Sequence, residues 1–451
     1  MSKRLPITYN RKLSLGAVHR DPATFLLYRR LFDDFFCVTD KKQQWLEDGS
    51  IPYKSLNIQN AVASTPIALT KKFAAYAATE PKRKFVMYSP LDPPYRVNPL
   101  AYLMNSPTIA HAYENKRYFR DEFSELIRMP EYQIRYVNEL DKAASYRDLK
   151  EEYGYFVLQD EESFGSKGTY IVKNQDDYLD AVRALKKISY SRSIVVSKYI
   201  KGQPLSIQVC ITKYGIFSGG VQKQLVDSKY LCNTKMQGAA KWCGGELGGE
   251  YPDIVQHQAN EMATIIGSEL ASHGYKGIFG IDLIITPENE VYAIEINARQ
   301  TGYSFLISDM QMHEGKIPFM LLHALELGNY EYEVEDLDAL PSVGRYKKPI
   351  SFLIVNNKSS EPLVVKNYIK TGLYKIEGEK LVYEKPAYSV DDLKSDDSLL
   401  IFSRYNEGES VDGGNRILKI IKRGKSMSKN DLNLKSQKVV EIVKKHFELP
   451  D

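Results

Sequence analysis

The chain has 451 residues, 43% of them hydrophobic and 26% charged, with 61 basic against 57 acidic side chains. That composition is ordinary for a folded globular protein, and the balance is too even to mark a nucleic-acid or membrane-surface binder. No apolar run reaches the ~18–20 residues of a spanning helix, and MSKRLPITYN lacks an apolar leader, so the expected location is the cytoplasm.

A chain of this length predicts two to four domains. Residues 1–112 read as mixed α/β. Aromatic and leucine residues at spacings of three and four predict a helix over Ala23–Phe36. Phe36–Val38 and Phe85–Tyr88 read as short strands of a small, mostly parallel sheet. No GxGxxG follows a strand, so a dinucleotide role has no support. The prolines of Pro90–Pro99 mark a transition.

Asn115-Lys116 opens a helix running to about Ile127, and Ala143–Leu149 reads as another. Tyr155–Gln159 is strand-like and leads into a small glycine-containing loop, Ser163–Thr169, before Tyr170–Val172 resumes a strand. Asp176 and Asp177 begin a helix that ends near Lys186 and Lys187, which suits its dipole. Ser193–Tyr199 is a strand ending at a break, and Leu205–Thr212 and Ile216–Lys223 follow. Asp227–Tyr251, with two Gly-Gly pairs, reads as a long irregular loop of functional character. Asp253–His273 is a strong helix with Asp253 as its cap and Gly274 as its stop. Beyond a helix at Ile317–Leu327, residues 341–451 read as short strands followed by a helix over Asn430–Phe447.

The strongest pattern is Ile278–Phe305, IFGIDLIITPENEVYAIEINARQTGYSF. Two apolar runs flank Pro287–Glu290 and predict a β-hairpin. A four-residue loop there pairs Thr286 with Val291 and brings Asp282 opposite Glu295, with Asn297 on the same face as Glu295. Opposed residues lie about 4.5–5.5 Å apart at Cβ, and like charges repel at that distance. Two carboxylates and an amide oxygen in apolar strands call for a cation, and an oxygen-only donor set suits Mg²⁺. The same alternation also fits a solvated hairpin face. The four cysteines show no zinc spacing and are expected as reduced thiols, and the seven histidines form no metal or catalytic motif.

In order, Asn115-Lys116, the Gly165–Thr169 loop, the Ser197–Ile200 hinge, the charged strand GGVQKQL and the pair FGIDLI…IEINAR resemble an ATP-grasp ligase from Asn115 to about Phe305. The resemblance implies an α/β (α+β) fold. A pre-ATP-grasp α/β domain would occupy residues 1–112. The ATP-grasp catalytic domain would occupy 113–340, divided into 113–200 with the glycine loop and 201–340 with the metal hairpin. A small β-rich domain ending in a helix would occupy 341–451. It implies that Asp282, Glu295 and Asn297 hold one or two Mg²⁺ ions, with Mn²⁺ as a substitute. Lys116, Gln159, Gly165, Ser166, Lys167, Gly168 and Thr169 would lie on the ATP phosphates, and the backbone of Lys198, Tyr199 and Ile200 on the adenine. Lys223 would meet the γ-phosphate, and Arg299 a carboxylate or the transferring phosphoryl group.

Two positions depart from that pattern. Gln159 stands where the family carries a lysine, and Gly202-Gln203-Pro204 where it often carries a ribose-binding acid. Glutamine at the first position also resembles natural-product peptide ligases of this type. The expected activity is ATP-dependent joining of a carboxylate to an amine, of amino acids or a peptide, through an acyl phosphate. Nucleic acid and membrane are not expected partners, and a homodimer is the default assembly. The alternative is a nucleotide-binding regulatory or scaffold protein with a degenerate ATP-grasp site. A carboxylase or a thiol acceptor also stays open.

Overall fold

The computed structural model describes residues 5–10, 14–18, 26, 29–32, 34–46, 51–56, 66–81, 84–87, 105–162, 168–188, 193–233, 241–249, 251–341 and 348–450. Pro90–Pro99 and Gly165, Ser166 and Lys167 lie outside these described residues.

Near the N-terminus four strands run parallel in the order Tyr53–Ser55, Asp34–Thr39, Ser14–Val18, Lys84–Met87. Of the helix expected over Ala23–Phe36, Leu26 is helical, residues 23–25, 27, 28 and 33 lie outside the described residues, and the second half differs. Arg29–Leu31 is a 3-10 turn, and a strand begins at Asp34 with Phe35 opposite Leu15. Aromatic residues suit a half-buried sheet as well as a helix, and pairing with Ser14–Val18 decided between them.

Residues 113–200 build a four-stranded antiparallel sheet in the order Tyr132–Tyr136, Ser193–Lys198, Phe156–Asp160, Thr169–Val172. Helices Ala143–Tyr153 and Gln175–Ile188 accompany it. Leu149, Tyr178, Val182 and Leu185 share one buried cluster with Phe156, Leu158, Ile194 and Val196.

A larger antiparallel sheet follows, in the order Val291–Asn297, Gly277–Ile285, Gln203–Thr212, Gln222–Val226, Trp242–Leu247, Ile350–Asn356, Arg416–Arg423, Ser398–Ser403, Gly372–Glu377, Lys380–Lys385. The strands after residue 341 therefore continue the sheet that carries the hairpin, through the pairing of Gly244–Leu247 with Ile350–Leu353. One face is covered by helix Asp253–Ser272, whose Val255, Ala259, Met262 and Ile266 pack on Leu205, Ile207, Phe279, Ile281 and Leu283. On the opposite face Phe352 of the sheet packs in one cluster with Tyr303, Phe305 and Leu306, at the start of helix Ser304–His313.

Three further expectations change. Part of the loop expected over Asp227–Tyr251 is the strand Trp242–Leu247. Its glycines serve close packing: a Cβ on Gly245 would stand 1.9 Å from the Lys223 carbonyl oxygen. The residue before helix Asp253–Ser272 is Pro252, and no side chain caps that end. The C-terminal helix spans Leu434–His446, later than expected, because Met427–Ser428 and Asp431–Leu432 pair as short strands first. No described helix is long and apolar enough to cross a membrane.

Candidate active site

The site grows from a short helix and a hairpin. Asn115 caps helix Lys116–Phe123, its Oδ1 accepting from the N–H groups of Arg117 and Tyr118 at 3.0 and 2.9 Å. Positions i, i+3, i+4 and i+7 share one face of a helix. Here those positions are Lys116, Phe119, Arg120 and Phe123, and all four are buried. Two cations are thus drawn inside along with two phenylalanines. Lys116 is 5% exposed and Arg120 1%.

The hairpin delivers the acids. Asp282 is the register partner of Glu295, with a β-bulge between Asp282 and Leu283. Asn297 Nδ2 donates to Asp282 Oδ2 at 3.1 Å, and Gln224 Nε2 donates to Asp282 Oδ1 at 2.7 Å. Arg299 Nη1 donates to Asn297 Oδ1 at 2.7 Å and to Glu114 Oε1 at 2.6 Å. A continuous polar line therefore runs Glu114–Arg299–Asn297–Asp282–Gln224. Gln203 Nε2 holds the far end, donating to the Gln224 carbonyl at 3.1 Å. Lys116 Nζ lies 3.9 Å from Glu295 Oε2, which joins the helix to the hairpin.

The electrostatics are tense. Burial, then the Glu295 charge, pushes the Asp282 carboxyl up to about 7, although Asn297 and Gln224 donate to it. Burial pushes the Lys116 ammonium down, opposed chiefly by Glu295. Burial also brings the Arg120 guanidinium down to about 10, again against Glu295. Two like charges across one strand pair are unfavourable unless a cation sits between them. Among the described residues no three His, Cys, Asp or Glu side chains gather as a metal site. The protein's offer to a cation is therefore the Asp282–Glu295 pair with Asn297 beside it. The carboxylate oxygens fit Mg²⁺, which keeps much of its shell for water and phosphate, and Asn297 adds an oxygen once its amide turns Oδ1 from Arg299 toward the pair.

Lys223 is not brought to this cluster. Register partners share a face and neighbours alternate. Asp282 pairs with Ser206, whereas Leu205 pairs with both Leu283 and Lys223. Lys223 thus points to the other face, beside its partner Glu246, and Gln224 takes the face of Asp282. Gly302 lies two residues past Gln300 but makes room for Trp242, whose ring would be 2.3 Å from an added Cβ.

Gln159 is 4% exposed and its Oε1 accepts from Arg120 Nη2 at 2.9 Å. Gly168 has φ +78 and its carbonyl accepts from the Asp160 N–H at 2.9 Å, and Thr169 begins the next strand. At the hinge, the Lys198 N–H donates to Glu131 O and the Tyr199 N–H to Tyr155 O. The exposed Lys198 side chain pairs with the Glu131 carboxylate at 3.3 Å. Ile200 follows directly, half-buried.

Sequence reasoning missed Arg120, Glu114 and Gln224. Arg120 had a readable signal: it lies four residues after Lys116 and beside Phe119, on the stripe that carries the phenylalanines. Gln224 had none, because strand parity across Gln203–Thr212 is a long-range property.

Residues 113–303 match the family model of the ATP-grasp domain. Over 201 residues the chain is 26% identical to a D-alanine–D-alanine ligase of Petrotoga mobilis, a match covering 44% of this chain. The chain spans about 60% of the length of that relative. Among solved structures it resembles an L-amino acid ligase from Bacillus licheniformis, with a TM-score of 0.59 and 14% identity over 92% of this chain and 95% of that one. It also resembles the biotin carboxylase domain of 2-oxoglutarate carboxylase from Hydrogenobacter thermophilus, a structure containing MgADP and bicarbonate. There the TM-score is 0.60 at 11% identity, over 92% and 87% of the two chains. At these identities the structural likenesses speak for the fold.

Proposed function

We propose that the protein is an ATP-dependent ligase joining a carboxylate to an amine, with release of ADP and phosphate; the match of residues 113–303 to the ATP-grasp family model and the likeness in fold support this reading. The observation that carries this reading is Asp282 set against Glu295, beside the buried cations Lys116 and Arg120. Anionic donors for a metal and cationic groups for phosphate stand within one cluster, which is what a nucleotide triphosphate with its metal needs at both ends. The names of the ligases it resembles support amino acids as the substrate class.

In this reading Asp282, Glu295 and Asn297 hold Mg²⁺, for which Mn²⁺ substitutes. When bound, it neutralises charge on the phosphate oxygens during transfer. Lys116 faces the phosphates from the helix start. The backbone of Lys198, Tyr199 and Ile200 receives the adenine, and Gly168 and Thr169 lie toward the phosphates. Arg299 holds Asn297 in place and is positioned for a substrate carboxylate. A substrate carboxylate oxygen bonds to the γ-phosphorus as the bond to ADP breaks. The amine then attacks the acyl carbon, phosphate leaves, and the amine's proton passes to solvent or phosphate. Residues 1–112 and 341–451 would flank the catalytic part, 113–340.

Incubation with Mg-ATP, amino acids singly and in pairs, and hydroxylamine tests this. A hydroxamate formed with ADP from one carboxylate supports the ligase. ATP binding without ADP from any substrate favours a nucleotide-binding regulator instead.

A further inference from the structure

Arg120 is the most deeply buried cation of the site, and its partners are neutral. Its Nη1 donates to the Lys116 carbonyl at 2.9 Å and its Nη2 to Gln159 Oε1 at 2.9 Å. Its Nε finds no acceptor among the described residues. The carboxylate that acts on it is Glu295, on the hairpin, and no described carboxylate accepts a hydrogen bond from it. Burying a guanidinium is costly without anionic company. Glu295 is itself engaged with Lys116 at 3.9 Å.

The contact with Gln159 has a directional consequence. A guanidinium only donates, so it takes the oxygen end of the glutamine amide. The Nε2 end, with two hydrogens, is then turned away from Arg120. It lies 3.4 Å from Thr169 Oγ1, at the strand start that follows Gly168. Gln159 and Thr169 are register partners, so the donor end stands at the mouth of the sheet where the glycine loop joins it.

We propose that Arg120 is a positioning residue for nucleotide phosphate, acting through Gln159. By holding the amide oxygen it makes Gln159 a donor toward an anion beside Thr169, polarised by a buried positive charge. The pair places at position 159 the donor and the electrostatic pull that a lysine there would supply alone. This rests on the ATP-binding reading above. A purely structural Arg120 would pin the helix to the strand and leave phosphate recognition to other groups.

The test measures ADP and adenosine binding to the full chain with Mg²⁺ by calorimetry, alongside melting temperature. Gln159→Glu keeps the size, strengthens the contact with Arg120 and presents only acceptors to the loop. ADP affinity falls at least tenfold, adenosine affinity is unchanged, and the melting temperature is not lowered. Gln159→Lys sets two cations in contact and weakens ADP binding. The exchange Arg120→Gln with Gln159→Lys restores it to within threefold of the natural protein. Gln159→Glu binding ADP as tightly as the natural protein, or losing ADP and adenosine equally, overturns the proposal. So does an exchange that stays as weak as Gln159→Lys alone. If the natural protein itself binds no ADP, the ligase reading fails and this proposal with it; if only the variants misbehave, this proposal fails alone.

Discussion

Asp282 and Glu295 are register partners across two antiparallel strands, and the pairing passes through a β-bulge. The turn between them runs from Thr286 to Glu290, because Ile285 pairs with Val291 and Asn289 takes φ +65. That turn is one residue longer than a four-residue loop. The bulge adds one residue to the second strand, so Leu283 pairs with Ala293 while Asp282 pairs with Glu295. The two irregularities cancel, and the acids meet. Bulges re-aim side chains next to sites in this way.

Glu295→Gln removes one of the two opposed charges. It also removes the anion that faces the buried Lys116 and Arg120, so in metal-free buffer its melting temperature should fall below that of the natural protein. Added Mg²⁺ should then raise it far less than it raises the natural protein, and turnover should be abolished. Asn297→Ala should also abolish turnover while the chain stays folded by circular dichroism. Turnover at the natural rate in either variant would sink the metal assignment.

The Asp282 carboxyl titrates higher in the folded state, at about 7 against its ordinary 3.8. A raised folded value means that the native state holds the proton more tightly. The stabilisation is complete below the ordinary value and is lost as pH rises through about 7. Asp282→Asn should therefore be more stable than the natural protein at pH 8 without metal, and that advantage should shrink by pH 5. Saturating Mg²⁺ should narrow the gap at pH 8, since the metal replaces the proton. Melting curves at both pH values, with and without Mg²⁺, provide the check.

Arg299 separates fold from activity. Its side chain joins Glu114, whose own side chain is 8% exposed, to Asn297. Burial pushes the Glu114 carboxyl up and Arg299 draws it back. Arg299→Met leaves that acid unpaired and should cost about 3 kcal/mol in urea denaturation. Adding Glu114→Gln should recover most of that stability. It should not recover turnover, because Asn297 still lacks its partner.

Gly302→Ala should cost about 1–3 kcal/mol, the usual penalty for forcing atoms into a filled core. The added methyl meets the Trp242 ring at 2.3 Å. Trp242→Leu vacates that space, so the double variant should lose less than the sum of the two single changes. Strict additivity would place the ring elsewhere.

Much of the site was legible because its determinants are local. The helix opened at Asn115 and the alternation in Ile278–Asn297 are each readable within about twenty residues. The opposition of Asp282 and Glu295 was reached by assuming a regular loop, and a bulge supplied the residue that the turn removed. Helix Ser304–His313 was not legible. Ser304 through Gln311 are all buried, so no polar face alternates with an apolar one.

The sequence by itself determined the hairpin strands, the helix opened by Asn115 and the residue types able to hold a metal and a nucleotide, since these follow from spacing and side-chain chemistry. Tertiary structure decided which of them meet. Lys223 and Gln224 are neighbours in the chain, yet strand pairing sends one to each face of the sheet and only Gln224 to Asp282. Arg120 and Gln159 lie 39 residues apart, and packing of one helical face against a strand brings them to 2.9 Å. Side-chain parity and long-range packing belong to the assembled sheet, and no window of the chain contains them.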